Sequence, residues 1–453
     1  MNLFKNLSQE RIVFALALAV FIACSIALPG FLQADNLIAI VRSVSVLGIL
    51  AVGMGIVIIG RGIDLSAVAI MAMSVAWYLQ MLQNGVSGGE ALALTLAGVV
   101  AIGLINGFMV AYADVPAIFA TLASGAFVYG FCRSQLIAQD ATPVPAGNWI
   151  NELGQLPSRI DQFAQINLGE IPVEVFIFSG AAFLAFLFLR FTKWGRYVYL
   201  MGDNFLAARN MGIPVRPMTV LRYVISALIA FSAGILTASS LHSINVRVVN
   251  STLLYDVILV VVIGGIGLSG GKGGMRNVVV GALLIGIMQN AMTILDFSNV
   301  YQNLIKSTIL LIAIKAGMIG VSRLSWSLAE HRQLPGAFAR LHPKFHTPWF
   351  TILFFSAIAI LLVLPGNTNF LGNLYSFGAM LSFTIAHLSI IALRRREPDR
   401  YRPYRAPWNV RWRGAEIPLT AVIGAVGTGA AFVSVIVLHP EARIIGSAWL
   451  LLG

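Results

Sequence analysis

Long apolar runs alternate with short polar segments along the whole chain. A run of about 18 or more apolar residues, wound as a helix, crosses ~30 Å of hydrocarbon. The pattern predicts spans at 12–32, 37–60, 64–83, 91–112, 116–138, 173–190, 217–238, 253–268, 275–295 and 302–321. Three more follow at 349–365, 371–393 and 417–438, and Arg443–Gly453 reads as the start of another. That last stretch would rise only ~16 Å as a helix, about half a bilayer core. The run after Arg11 lacks a small-residue cleavage site, so it reads as a first span and not as a signal peptide.

The polar segments test this count. With the N-terminus inside, the Arg190–Pro217 loop falls inside, as do Ser322–Pro348 and the eight arginines of Arg394–Arg413. The first holds five bases against Asp203; the second holds Arg323, Arg332, Arg340 and Lys344. The loop from Gln139 to Pro172 falls outside, with Asp140, Glu152, Asp161 and Glu170 against Arg159. This is the distribution the positive-inside rule expects. Losing or adding one span before Arg190 would invert these segments.

Composition agrees. The 453 residues are 58% hydrophobic and 11% charged, with mean hydropathy +0.85. A soluble domain carries more charge. The net charge of +12 is explained by loop placement, so nucleic acid is not an expected partner. Cys24 and Cys132 lie in apolar runs, and His342 and His346 flank Pro343 without a third ligand nearby. No disulfide, metal site or cofactor is expected.

Chemistry concentrates between spans. In GRGIDLS, Gly60 and Gly62 would break a helix, and Asp64 is costly in lipid unless interfacial or functional. Asp64 or Ser66 also suits the N-cap of the next helix, and the two readings are compatible. In VPAIFATLASGAFVYG, Pro116 suits a helix start, and Ala117, Ala120, Ala123 and Gly125 suit close helix packing. The run Val261–Gly274 contains a formal GxGxxG at Gly265, Gly267 and Gly270, but no βαβ unit surrounds it. Ile266 and Gly273 also break the P-loop pattern around Lys272. Gly264, Gly265, Gly270 and Gly271 instead predict a tight re-entrant turn, with Lys272 and Arg276 at the cytoplasmic surface. Within the Arg190–Pro217 loop, Asp203–Met211 predicts a short helix with Ala207 and Ala208, closed by Gly212.

GIDLS, the VPAIFATL run, GRYVYLMGDNFLAARNMGI and VVVIGGIGLSGGKGG stand in the order that resembles permease subunits of ribose/xylose-type ABC importers. The resemblance covers roughly residues 10–312. It implies an all-α polytopic membrane protein whose first ten spans form an importer permease bundle. It further implies a second permease copy, identical or not, in a bacterial inner membrane. ABC ATPase subunits would dock inside and a periplasmic sugar-binding protein outside. Asp203, Leu206, Ala207, Ala208, Arg209 and Gly212 then resemble the helix that couples to the ATPase. The Ala207–Ala208 pair would offer it a flat face, and Arg209 and Arg216 would meet acidic groups on it. The competing reading of this helix is an amphipathic segment lying on lipid. Gly60, Gly62, Asp64 and Ser66 become candidates for the translocation path. Two positions depart from the family pattern. Leu206 stands where a Glu is usual, and Arg61 stands where a Gly is usual, beside Asp64 as a potential ion-pair partner.

From Ala316 to the end, AGMIGVSRLSWSLAEHRQLPGAFARLHPKFHTPW and NLYSFGAMLSFTIAHLSIIALRRREPDRYRPYRAP resemble amino acid–polyamine–organocation permeases. The first eight helices of that fold, with the unwound substrate segments, have no counterpart here. The expected division is 1–315, an importer permease, and 316–453, a fragment adding three to four helices. The expected function is passage of a monosaccharide or similar small polar solute, with ATP hydrolysed on separate subunits. The alternatives are a secondary amino acid permease and a chimera without transport activity.

Overall fold

A computed structural model describes residues 9–156, 171–313, 325–343, 347–363, 368–397, 400, 408–412, 415–438, 440, 443–444 and 446–447. Several expectations lie outside these residues. They are Arg159, Asp161 and Glu170 of the acidic loop, the seam around Lys315, Ala316 and Arg323, and Lys344, His346, Asp399 and most of the final stretch. The chain forms two compact units, Met1–Ile360 and Leu361–Gly453.

The first unit begins with α1 (Gln9–Ala27), α2 (Ala34–Ile59), α3 (Ala67–Gln83), α4 (Gly88–Ala111), α5 (Ala117–Phe131), α6 (Trp149–Gly154) and α7 (Val173–Phe191). It continues with α8 (Lys193–Asp203), α9 (Phe205–Asn210), α10 (Val215–Leu241), α11 (Leu253–Gly264), α12 (Met275–Ile294) and α13 (Asn299–Ala313). Among the described residues of the whole chain, eight helices are long and apolar enough to cross a bilayer. The protein is thus an all-α polytopic membrane protein. Among the described residues the strands form two short antiparallel pairs, the first being β1 (Ala141–Pro143) with β2 (Ser243–Asn245).

Every residue of α2 from Leu47 to Ile59 is buried. A helix that is apolar all round belongs at the centre of a bundle, and α2 packs against α10, α12, α7 and α11. By contrast α1 leaves Ile12, Phe14, Leu16, Leu18, Ile22 and Ile26 exposed, as a lipid-facing helix does. The most extensive helix contact, α4 with α10, runs through Gly103 and Gly107. A Cβ there would stand 2.7 Å from Val224 Cα and 2.5 Å from Val220 Cα. This is the small-xxx-small contact that lets membrane helices approach without side chains between them.

Three elements differ from expectation. The eighth span stops at Gly264 and not 268, because Gly265 takes φ +107° and turns the chain out of the helix. Beyond Phe131, α5 gives way to a π-helical turn over Cys132–Leu136. The loop after α7 holds two helices, and Asp203 ends the first instead of opening the second.

In the second unit, α15 (Thr368–Arg396) packs along α16 (Leu419–Leu438). Thr384 Oγ1 lies 3.1 Å from Thr428 Oγ1, and Phe377 and Phe432 rings are 5.1 Å apart. A ribbon of β3 (Asn409–Trp412) and β4 (Ala415–Pro418) precedes α16. The helix α14 (Trp349–Val363) carries the chain across the boundary between the units.

Candidate functional site

The break between α2 and α3 is built by side chains from three other helices. Gly60 caps α2, and Arg61 follows at φ +66°, a left-handed conformation that non-glycine residues rarely adopt. The buried Arg222 of α10 donates to the oxygens of Gly60 and Val57, and to Thr219 Oγ1 at 3.0 Å. Val57 O also accepts from Gly62 N at 2.9 Å, whereas for Gly60 O, past the end of α2, the guanidinium is the donor. Gly60 is required because a Cβ would collide with that guanidinium.

Asp64 is fully buried. Its Oδ1 accepts from Ser66 N at 3.1 Å and Ser66 Oγ at 2.5 Å, and its Oδ2 accepts from Ser226 Oγ at 2.7 Å. Ser66 Oγ in turn accepts from Asn106 Nδ2 at 2.9 Å, and Leu65 N donates to Thr121 Oγ1 at 3.0 Å. Gly125 lets α5 approach, since a Cβ there would lie 3.2 Å from Ser66 Cα. Asp64 therefore closes a turn across the start of α3, while Ser66 occupies the N-cap position with its hydroxyl turned to Asp64 and Asn106 and not to the α3 backbone. The expected Arg61–Asp64 ion pair does not form. Arg61 is exposed, and the Asp64 oxygens are already taken by hydroxyl and amide donors.

The glycine-rich turn after α11 reaches the same place. Gly270, Gly271 and Gly273 have φ +80°, +74° and +98°. Gly271 N donates to Ile59 O at 2.8 Å, and a Cβ on Gly270 would touch the Arg61 backbone at 3.0 Å. Lys272 is exposed, and Gly264 packs on the Asn277 backbone, whose side chain donates to Gly264 O at 2.6 Å.

The loop after α7 completes the junction. Thr192 caps α8 by accepting from Gly195 N at 3.0 Å, and α8 buries Gly195, Val198, Met201 and Gly202 against the bundle. Gly202 abuts Ile59 O and Gly271 N so closely that no side chain fits. A Cβ on Gly271 would lie 2.8 Å from Asp203 Cα, and Tyr199 Oη donates to Gly273 O at 2.8 Å. Thus the end of α2, the glycine turn and the end of α8 meet backbone to backbone.

From that junction α9 projects. Asn204 caps it by accepting from Ala207 N at 3.0 Å, and Gly212 at φ +78° ends it. The alanine pair does not form one flat face: Ala207 is exposed, while Ala208 is fully buried. The exposed tip is instead Leu206 and Met211, 69% and 64% exposed, with Phe205 and Arg209. Arg216 lies over the Tyr112 ring, 5.3 Å from its centroid.

The opposite end of the bundle carries different chemistry. Gln83, at the far end of α3, donates to Pro143 O of β1. There Asp140 bridges Arg133 at 2.8 Å and Arg247 at 2.7 Å. The hydrogen bond from Arg247, with the nearby Arg133 charge, holds the Asp140 carboxyl below its ordinary range. Between α2, α11, α12 and α13 lies a cavity of about 580 Å³, with Ser43, Thr252, Gln289, Asn290, Asn303 and Lys306 on its walls. Lys306 forms a buried ion pair with Asp256 at 2.9 Å, and Gln289 donates to the same carboxylate at 3.0 Å.

Sequence reasoning missed Arg222, Ser226, Asn106, Asp256 and Lys306. Three carried a signal, since Arg222, Asp256 and Lys306 are charges inside expected spans, which rarely occur without a role. Ser226 and Asn106 carried none, because a polar residue within an apolar run does not reveal its partner.

Two family models match the chain. One, described as branched-chain amino acid transport system / permease component, matches residues 36–314. The other, amino acid permease, matches residues 302–451. The ribose import permease protein of Haemophilus influenzae is 33% identical over 322 residues, covering 70% of this chain and 96% of its own. That of Escherichia coli K12 is 31% identical over 311 residues, covering 68% and 93%. The xylose transport system permease protein of Haemophilus influenzae is 28% identical over 372 residues, covering 68% and 96%.

Proposed function

We propose a function from one premise: the chain belongs to the family of branched-chain amino acid transport system permease components, matched over residues 36–314. It is the membrane-spanning permease subunit of an ATP-driven sugar importer, with ATP hydrolysed on separate ABC ATPase subunits. The solute is a monosaccharide or similar small polyol, the class named in the ribose and xylose relatives.

One observation carries this reading. The exposed tip of α9 is joined, through Gly202, Gly271 and Ile59, to the broken segment that holds Asp64. A push on the tip has no side-chain cushion to absorb it before reaching the end of α2. An apolar tip in a polar loop needs a partner to cover it, and Leu206, Met211 and Phe205 suit an apolar cleft on an ATPase, with Arg209 beside it. Asp203, Ala207 and Gly212 position that tip; Ala208 anchors it. The end bearing α9 is the cytoplasmic one, together with the N-terminus, in a bacterial inner membrane. A second permease copy and a periplasmic sugar-binding protein complete the assembly.

Gly60, Gly62, Asp64 and Ser66 belong to the linkage more than to an open path. Gly60, Asp64 and Ser66 bond to Arg222, Ser226 and Asn106 of the neighbouring helices. The cavity around Gln289 and Asn303 suits the solute better, because amides and hydroxyls both donate and accept, as sugar hydroxyls do.

The two family matches overlap over 302–314, inside α13. This supports a division near residue 315, with residues 316–453 as appended helices. Reconstitution tests the whole reading. Uptake of D-ribose or D-xylose into proteoliposomes is expected only with both an ATPase subunit and a binding protein present; uptake by this chain alone overturns it. The amino acid permease match favours a second reading, which labelled leucine uptake driven by a proton gradient would establish.

A further inference from the structure

Two adjoining cavities lie where the start of α1, the end of α7 and the start of α12 come together. One, of about 490 Å³, is an apolar slot whose walls include Phe14, Ala182, Phe186, Val279 and Val280. The other, of about 740 Å³, lies against the turn at Gly273–Asn277 and includes Arg190 and Arg276. They share Glu10, Phe186, Met275 and Arg276, so the slot opens into the basic chamber. Arg11 stands at the slot as well.

None of these three guanidinium groups forms an ion pair with a described residue. Two cations, Arg190 and Arg276, against one carboxylate, Glu10, leave the described lining of the chamber net positive, and Arg11 adds a third cation at the adjoining slot. The first turn of α12 lines the same chamber without a side-chain cap, and its partial positive charge adds to theirs. The slot beside it faces outward between helices that a bilayer would surround.

We propose that this compound groove binds one anionic phospholipid, its phosphate held by Arg190 and Arg276 and an acyl chain laid between α1, α7 and α12. The chemistry matches at both ends. A guanidinium fork pairs bidentately with phosphate oxygens, and basic pockets between membrane helices select anionic headgroups. Arg11, in the first turn of α1, stands at the slot beside the headgroup chamber. The bound lipid would tie α1 to α7 and α12; among the described residues, the direct contacts of α1 run mainly to α12. The site stands independently of what the protein transports.

The test uses the purified full-length chain in detergent, with native mass spectrometry after addition of phosphatidylglycerol or phosphatidylcholine. Retention of phosphatidylglycerol is expected to exceed that of phosphatidylcholine by on the order of tenfold. The Arg190→Gln/Arg276→Gln double variant should lose that preference. Val279→Trp, which fills the slot and leaves every charge in place, should lower retention too, provided its thermal melting matches the parent. Equal retention of the two lipids overturns the proposal. So does an unchanged preference in the arginine double variant. If that variant keeps its lipid but no longer co-purifies with an ATPase subunit, the groove belongs to a protein partner and the proposal fails.

Discussion

A guanidinium that is 3% exposed inside a membrane bundle has given up its water shell for protein oxygens. For Arg222 these are Gly60 O, Val57 O and Thr219 Oγ1, while its Nε has no partner. Arg222→Leu would leave the buried Gly60 carbonyl without its partner, at ~1–3 kcal/mol, while Val57 O keeps its bond from Gly62 N. A fall in the melting temperature of the detergent-solubilised chain is expected, smaller for Arg222→Lys; unchanged melting would refute the role. Asp140 gives a pH dependence at the other end. Its carboxyl titrates below its ordinary value, so its contribution to stability is present above the unfolded value of about 3.9. That contribution disappears as pH falls through the lower folded value. Melting followed from pH 6 to pH 2 should therefore drop more steeply for the parent than for Asp140→Asn. At this scale the sequence revealed Asp64 as costly and Gly60 as a break. It did not reveal the partners, because Ser226 and Arg222 are 162 residues from Asp64 and Gly60.

The expected spans coincide with helices along most of the chain because apolar run length directly reflects bilayer thickness. Their ends were harder to place. Gly265 could have continued α11 at modest cost, and only its φ of +107° fixes the stop. In the loop after α7, Asp203 and Asn204 are both good N-caps by residue type. Asn204 takes the position, at φ −147°, because α8 must run to Asp203 to bring Gly202 onto Ile59 and Gly271. The exposed tip of α9 allows a clean separation of stability from coupling. Leu206→Asp should leave melting within about 0.5 kcal/mol of the parent, as exposed substitutions do. It should nevertheless weaken co-purification of an ATPase subunit by roughly tenfold or more if the tip is a buried anchor. Equal recovery of the ATPase would show that α9 is not the contact.

Across the whole of the first unit, the two ends differ in chemistry: a glycine-packed junction with an apolar tip at one, and a polar cavity with an Asp140-centred ion cluster at the other. The proposed transport reading requires both. Gln289→Leu with Asn303→Leu should raise the KM for sugar uptake, while the ATPase rate stimulated by binding protein persists. Uptake with unchanged KM would place the solute elsewhere. Sequence alone determined the all-α membrane class, the order of the spans and the resemblance to two permease types. Each of these is written in run length, charge placement or contiguous motif. Only the tertiary structure decided that GRGIDLS, the Gly270–Gly271 turn and the Gly202–Asp203 helix end form one junction. It alone decided too that Ala208 is an anchor and Leu206 the exposed tip. Helix contacts between segments far apart in the chain depend on which backbones can approach, and a glycine in the sequence does not say what it lies against.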